Sequence, residues 1–295
     1  MLDAWAGNAA VMETVTRASQ ALEQDIGALI AQGPAEQLNL TTNTQPAMLT
    51  AGVAVYAAWR AAGGAAPAVM AGHSLGEYAA LTAAGALRLE DAVRLVRIRA
   101  DAMQAAVPVG TGAMAAILGL DDDAVRAACR DAAQGEVVEA VNFNAPAQVV
   151  IAGHRAAVER ACEAARQAGA KRALMLPVSA PFHSSLLQPA AAVLARALAE
   201  AGVSAPGVPV INNVDVAAPS DPAAIRDALV RQAWHPVRWV ETIRAMKEMG
   251  VTHIVECGPG KVLAGLTKRI DAGITGMAIT DPASLDAALS TLGTH

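Results

Sequence analysis

Apolar positions recur along the chain at two different periods, and the switches between them predict the order of elements. From Ala9 to Ala31 the apolar residues fall at helical spacing. The same spacing returns from Gln45 to Ala62, where Gly63-Gly64 closes it. The short apolar run Ala66 to Ala71 then reads as a buried strand. A helix follows Gly76 to about Ala86, and a longer one runs from Glu90 to Ala106. Val107-Pro108-Val109-Gly110 breaks the pattern and marks a boundary.

Beyond that boundary the order becomes diagnostic. Gly112 to Leu118 is a strand, and "DDDAVRAACRDAA" is a helix whose opening acids suit its N-terminal dipole. "VVEAVNFN" and "AQVVIAG" are strands, "RAAVERACEAARQAG" a helix and "KRALMLPVS" a strand. This β-α-β-β-α-β order is that of a ferredoxin-like unit. From Pro181 the alternation resumes through the strand "VPVINNV", the helix "DPAAIRDALVRQ" and the strand "THIVECG". The expected architecture is α/β. A hydrolase-like large domain with a mostly parallel sheet spans residues 1–106 and 181–295, and a ferredoxin-like (βαββαβ) subdomain is inserted over residues 107–180.

Composition narrows the function classes. Of 295 residues, 54% are hydrophobic and 17% charged, with a net charge of -5 and 3% aromatics. A nucleic-acid binder with a basic stripe and stacking aromatics is therefore disfavoured. Cys129, Cys162 and Cys257 are far apart and form no C-x-x-C pair, so neither a disulfide framework nor a structural zinc site is expected. Met1-Leu2-Asp3 lacks the basic start of a secretory signal, and the longest apolar runs, such as Met48 to Trp59, fall short of the roughly 20 residues that span a bilayer. The expected setting is cytoplasmic, with no metal.

The candidate chemistry begins at Gly72-His73-Ser74-Leu75-Gly76, a G-x-S-x-G sequence between the expected strand and helix. A nucleophile elbow needs this composition. The sharp turn strains the serine backbone, glycines let neighbouring chain approach, and the hydroxyl stands at a helix N-terminus rich in free N–H groups. The competing reading is a glycine-rich turn with an inert serine. A serine nucleophile needs a base, and the histidines are His73, His154, His183, His235, His253 and His295. His183, in "SAPFHSSLL", lies where the chain returns to the large domain. Loops at such junctions line clefts, so His183 is favoured. His154 opens a helix and reads as a capping or surface residue.

In the helix "EDAVRLVRIRADAMQAAV", steps of 100° put Arg94, Arg97 and Asp101 on a polar face. Arg99 falls among Ala92, Leu95, Val96 and Met103 on the apolar one. A buried guanidinium needs an anion. The residues alone favour an internal carboxylate over the carboxylate of a bound substrate.

"GHSLGEYAAL", "RADAMQ", "GTGAMAAILGL", "VNFNAPAQVVIAG", "AKRALMLPVSAPFHSSLL" and "ECGPGKVLAGLTKRI" together resemble the bacterial malonyl-CoA:acyl-carrier-protein transacylases, in order and through nearly the whole chain. The resemblance implies ping-pong transfer of malonyl to the phosphopantetheine thiol of acyl carrier protein in fatty-acid synthesis, through a malonyl-serine. It casts Ser74 as nucleophile and His183 as base, with the Leu75 N–H as oxyanion donor. The Gln232 carbonyl orients the histidine in a Ser-His dyad. Arg99 pairs with the malonyl carboxylate, which reverses the preference above. His73, Met103, Asn142, Asn144 and Phe182 are the expected pocket residues. Lys171, Arg172 and Lys261, with Lys268 and Arg269, are weaker candidates for contact with coenzyme A or the carrier. The implied partners are malonyl-CoA and acyl carrier protein, without nucleic acid, membrane or cofactor, and with a monomeric chain. The other readings are a serine thioesterase or hydrolase, a carrier-binding module, and a transacylase serving a polyketide carrier.

The chain departs from the family at its start. The family's opening strand and Gly-Gln-Gly-x-Gln loop have no counterpart before Met1. The expectation is a true start upstream of an internal methionine, with a truncated product as the other reading; against the family's pattern, a chain that starts at Met1 is expected to be short of one sheet strand and one oxyanion donor.

Overall fold

The structure, a computed structural model, describes residues 1–178 and 180–293. Ser179, the end of the expected strand "KRALMLPVS", and His295 lie outside the described residues.

Four helices open the chain after a short 3-10 turn at Asp3–Trp5: α1 (Ala9–Leu22), α2 (Ile26–Gln32), α3 (Ala35–Leu38) and α4 (Thr41–Ala61). The single helix expected over 9–31 is thus two. Glu23 turns left-handed at φ 53°, and the Asp25 carboxylate caps α2 by accepting the Ala28 N–H at 2.8 Å. Apolar spacing runs on through the break, which is why periodicity conceals it.

Next come β1 (Met70–Ala71), α5 (Leu75–Ala83) and α6 (Leu89–Ala105). The subdomain follows with β2 (Gly112–Leu118), α7 (Asp122–Ala133), β3 (Val138–Ala145), β4 (Gln148–His154), α8 (Arg155–Gln167) and β5 (Arg172–Met175). The chain closes with α9 (Gln188–Glu200), β6 (Val210–Ile211), α10 (Pro222–Gln232), α11 (Trp239–Glu248), β7 (His253–Cys257), α12 (Val262–Ile270), β8 (Thr275–Ile279) and α13 (Pro282–Leu292).

Both strand pairs of the large domain are parallel, as expected, yet they form two separate two-stranded sheets, β1-β6 and β7-β8. The strands expected over 66–71 and 208–214 shrink to two residues each. Pro67 and Pro209 offer no N–H for a ladder, and the sharp turn at Gly72 ends β1. Around these sheets the helices bury a core that includes Leu49, Tyr78, Leu95, Leu194 and Leu229.

The subdomain sheet is antiparallel with strand order β3-β4-β2-β5, the ferredoxin-like arrangement. α7 and α8 cover one face through Val125, Cys129, Val158 and Cys162. On the other face Met114, Val141, Val150 and Ala152 pack against Phe182. β5 is shorter than expected because Pro177 follows it. A backbone bridge joins the two parts of the molecule. Val237 donates to the Val141 carbonyl at 2.8 Å and accepts from the Phe143 N–H at 3.0 Å, which pairs Asn142 with Val237 and pins the chain after α10 to β3.

Candidate active site

The elbow forms as its sequence requires. Ser74 sits between β1 and α5 at φ 52°, ψ -111°, conformations a side chain adopts only under constraint. A Cβ on Gly72 would lie 1.9 Å from the Gly76 carbonyl carbon and oxygen, so only glycine fits there. Gly76 is different: nothing lies within 4 Å of its Cβ position. The crowding expected at both glycines is real at the first alone, because Gly76 backbone is itself the obstacle.

His183 also has a positive φ, 65°, and its loop is tied to β3 by the Glu139 carboxylate. That group accepts the Ser185 N–H at 2.7 Å and the Ser185 hydroxyl at 2.9 Å. His183 Nε2 stands 2.7 Å from Ser74 Oγ, and Nδ1 stands 2.8 Å from the Gln232 carbonyl at the end of α10. A carbonyl only accepts, so Nδ1 carries the proton and Nε2 is left free to receive the serine's. No carboxylate takes a triad position among the described residues. Burial first, and the Arg99 charge second, push His183 down to about 3, so the imidazole is neutral.

Arg99 is 2% exposed on the inner face of α6. Its Nη1 donates to Gln45 Oε1 at 2.7 Å. Its Nη2 donates to Gln232 Oε1 at 3.0 Å and to Ser74 Oγ at 3.1 Å. The Tyr78 ring centroid lies 5.6 Å from the guanidinium carbon. Among the described residues no carboxylate pairs with it, and its buried Nε has no partner. The internal ion pair favoured by residue type alone is therefore not formed. The guanidinium is held by neutral acceptors, and it touches the nucleophile.

Around this centre the remaining expectations divide. Leu75 opens α5, and its N–H has no acceptor among the described residues. His73 Nε2 lies 2.8 Å from Asn144 Oδ1, burial lowers the His73 pKa, and Met103 is buried beside Gln45. Asn142 is buried in β3 opposite Val237, and among the described residues its side chain makes no bond to the dyad. Phe182 packs across the junction immediately before His183. Lys171 and Arg172 are not brought to the dyad. They are exposed at the start of β5, opposite Leu118, whereas Pro181 packs at Gly112, roughly 20 Å away along β2. Lys261 is exposed ahead of α12, and Arg269 bonds to Gln148. Of the other histidines, His154 does precede α8, but its Nδ1 accepts the Val137 N–H at 2.9 Å instead of capping; His235 bonds to the Arg231 carbonyl.

Three residues of the site carry no expectation from the sequence: Gln45, Glu77 and Asn213. Asn213 Oδ1 accepts the Ser74 N–H at 2.7 Å, and its Nδ2 donates to the Gly72 carbonyl at 2.8 Å. Glu77 is 2% exposed and pushed up to about 7 by burial. The only available cue was a polar residue inside an apolar helical stretch, for Gln45 and Glu77. A cavity of about 390 Å³ opens beside His183, between β3 and α7 on one side and Trp234 to Pro236 on the other. Its lining includes His183 but neither Ser74 nor Arg99.

Residues 4–273 match the acyl transferase domain family. The malonyl CoA-acyl carrier protein transacylase of Salmonella typhimurium is 58% identical over 280 residues, covering 95% of this chain and 91% of that protein. The acyl-carrier-protein S-malonyltransferase of Burkholderia pseudomallei superposes with a TM-score of 0.97 at 66% identity, over 98% of this chain and 94% of that one. A malonyl-transacylase solved with a type II PKS acyl-carrier protein superposes with a TM-score of 0.97 at 51% identity, over 99% and 94% of the two chains.

Proposed function

The chain belongs to the acyl transferase domain family, and from that premise we propose that it moves a malonyl group from malonyl-CoA to the thiol of acyl carrier protein through a malonyl ester on Ser74. The observation that carries the choice of acyl group is Arg99, a buried cation without a carboxylate partner among the described residues, 3.1 Å from the nucleophile. A carboxylated acyl chain supplies the missing anion at the distance where its thioester meets Ser74.

In this reading the Ser74 hydroxyl gives its proton to His183 Nε2 as Oγ attacks the thioester carbonyl. The Gln232 carbonyl holds the imidazole by its Nδ1–H and steadies the imidazolium that forms. The Leu75 N–H, aided by the positive end of α5, receives the developing oxyanion. Collapse expels the coenzyme A thiolate, which takes the proton from His183. The carrier thiol then enters, gives its proton to His183 and reverses the sequence. Binding of the malonyl carboxylate also offsets the Arg99 charge, the second cause depressing His183, so the base strengthens as the correct substrate docks. The chemistry needs no cofactor. The proposed setting is the cytoplasm, in keeping with three free cysteines; among the described residues no helix is long and apolar enough to cross a membrane.

Intact-protein mass spectrometry after brief mixing with malonyl-CoA tests this reading. A malonyl adduct on the parent and none on Ser74→Ala is expected. No adduct on folded parent protein refutes the transfer. Release of free malonate without a thiol acceptor, as fast as transfer to carrier, refutes it in favour of a hydrolase.

A further inference from the structure

We infer that Glu77 is a positioning residue that fixes the side chains of Gln232 and Asn213 and so holds Ser74, His183 and Arg99 in register. The inference rests on the transferase reading above and concerns a group to which that mechanism gives no part.

Glu77 points inward from the first turn of α5, and its Oε2 accepts two N–H groups, from Asn213 backbone at 2.9 Å and from Gln232 Nε2 at 2.9 Å. The Gln232 amide has two ends of opposite character, and either could face either way. Arg99 only donates, so Gln232 Oε1 faces Arg99; a carboxylate only accepts, so Nε2 faces Glu77 and the Ser74 carbonyl, 2.8 Å away. Removing Glu77 deletes one of the restraints on that orientation. Gln232 also holds His183, its main-chain carbonyl accepting from Nδ1.

The second branch runs through Asn213. Glu77 pins the Asn213 N–H, while the Asn213 side chain grips both flanks of the elbow, the Ser74 N–H and the Gly72 carbonyl. Ser74 at φ 52° persists only where its surroundings over-determine it. Glu77 Oε2 accepts from both branches, which also touch each other where Gln232 Nε2 donates to Asn213 Oδ1 at 3.5 Å. Arg99 and Asp215 are the charged groups acting on it, and burial pushes its carboxyl up to about 7. The fold thus keeps a carboxyl where a neutral residue would be easier to bury.

The test is a mutant cycle on the full chain with malonyl-CoA and carrier protein, each rate expressed per folded molecule and each variant's Tm measured. Glu77→Ala is expected to lower kcat about 10- to 100-fold, with KM changed less than about threefold. Glu77→Gln, whose amide oxygen can accept the same two N–H groups, is expected to stay within about fivefold of the parent. The double variant Glu77→Ala/Gln232→Ala is expected to lose less than the product of the two single losses. A lower Tm with unchanged kcat in Glu77→Ala makes the role merely structural and overturns the inference, as do multiplicative losses in the double variant. Should Glu77→Ala fail to fold, Glu77→Gln decides alone, and a loss beyond about tenfold overturns the proposed acceptor role. A parent that forms no malonyl-serine strikes the transferase reading instead, so the two failures are distinct.

Discussion

Arg99→Met tests the reading of the site most directly. The substitution keeps much of the buried volume and removes three donated hydrogen bonds, to Gln45, Gln232 and Ser74. With malonyl bound, two charge-assisted bonds to its carboxylate are lost. At about 1.5–3 kcal/mol each they sum to about 3–6 kcal/mol. The loss in kcat/KM for malonyl-CoA is then roughly 10²- to 10⁴-fold. Acetyl-CoA has no carboxylate, and in the parent its methyl group must face a buried cation. Its rate is expected to hold or to rise about three- to tenfold. Stopped mixing with each thioester, read as acyl-serine by intact mass, gives the ratio. The acid side of the pH profile moves as well. His183 acts as a neutral base, so activity falls as pH drops through its pKa, held at about 3 by burial and by Arg99. Removing Arg99 removes the second cause and moves that limb upward. A malonyl loss below tenfold, or equal losses for both thioesters, would show that Arg99 serves the dyad or the core and does not read the substrate.

The elbow glycines separate cleanly. Gly72→Ala drives a Cβ into Gly76 backbone at 1.9 Å and is expected to cost at least about 3 kcal/mol or to prevent folding, whereas Gly76→Ala meets nothing within 4 Å and is expected to leave the Tm within a few degrees or raise it. Equal Tm changes in thermal melts would contradict this account of the turn. Stability against pH isolates Glu77. Its carboxyl is raised from 4.5 to about 7 in the folded chain, so the stability it contributes is fully present below pH 4.5 and is lost as pH climbs to about 7. The shift corresponds to about 3 kcal/mol. Glu77→Gln removes that dependence, and His183 titrates in both proteins, so the difference in urea midpoint between variant and parent is expected to move in favour of the variant from pH 4.5 to 7 and then level off. A difference that stays flat across this window rejects the burial argument.

The sequence by itself determined the features that depend on near neighbours. The subdomain order was legible because strand and helix periods alternate cleanly from Gly112 to Met175, and α6 displayed Arg99 on its apolar face through spacing alone. Turn chemistry marked Ser74, since only a small-residue turn allows that backbone. His183 was favoured by its place at the junction, and the resemblance supplied Gln232. Tertiary structure decided what surrounds these groups. Arg99 meets Gln45 from 54 residues upstream and Gln232 from 133 downstream, and Glu77 reaches Asn213 across 136 residues. No local period encodes such meetings, because they depend on how α4, α6 and α10 pack against the elbow. The same packing left Lys171 and Arg172 far from the dyad, split the parallel strands into two sheets, and denied Arg99 an internal carboxylate. Residue types state which partners a buried charge needs. Only the fold settles whether the protein supplies them or leaves the place to a substrate.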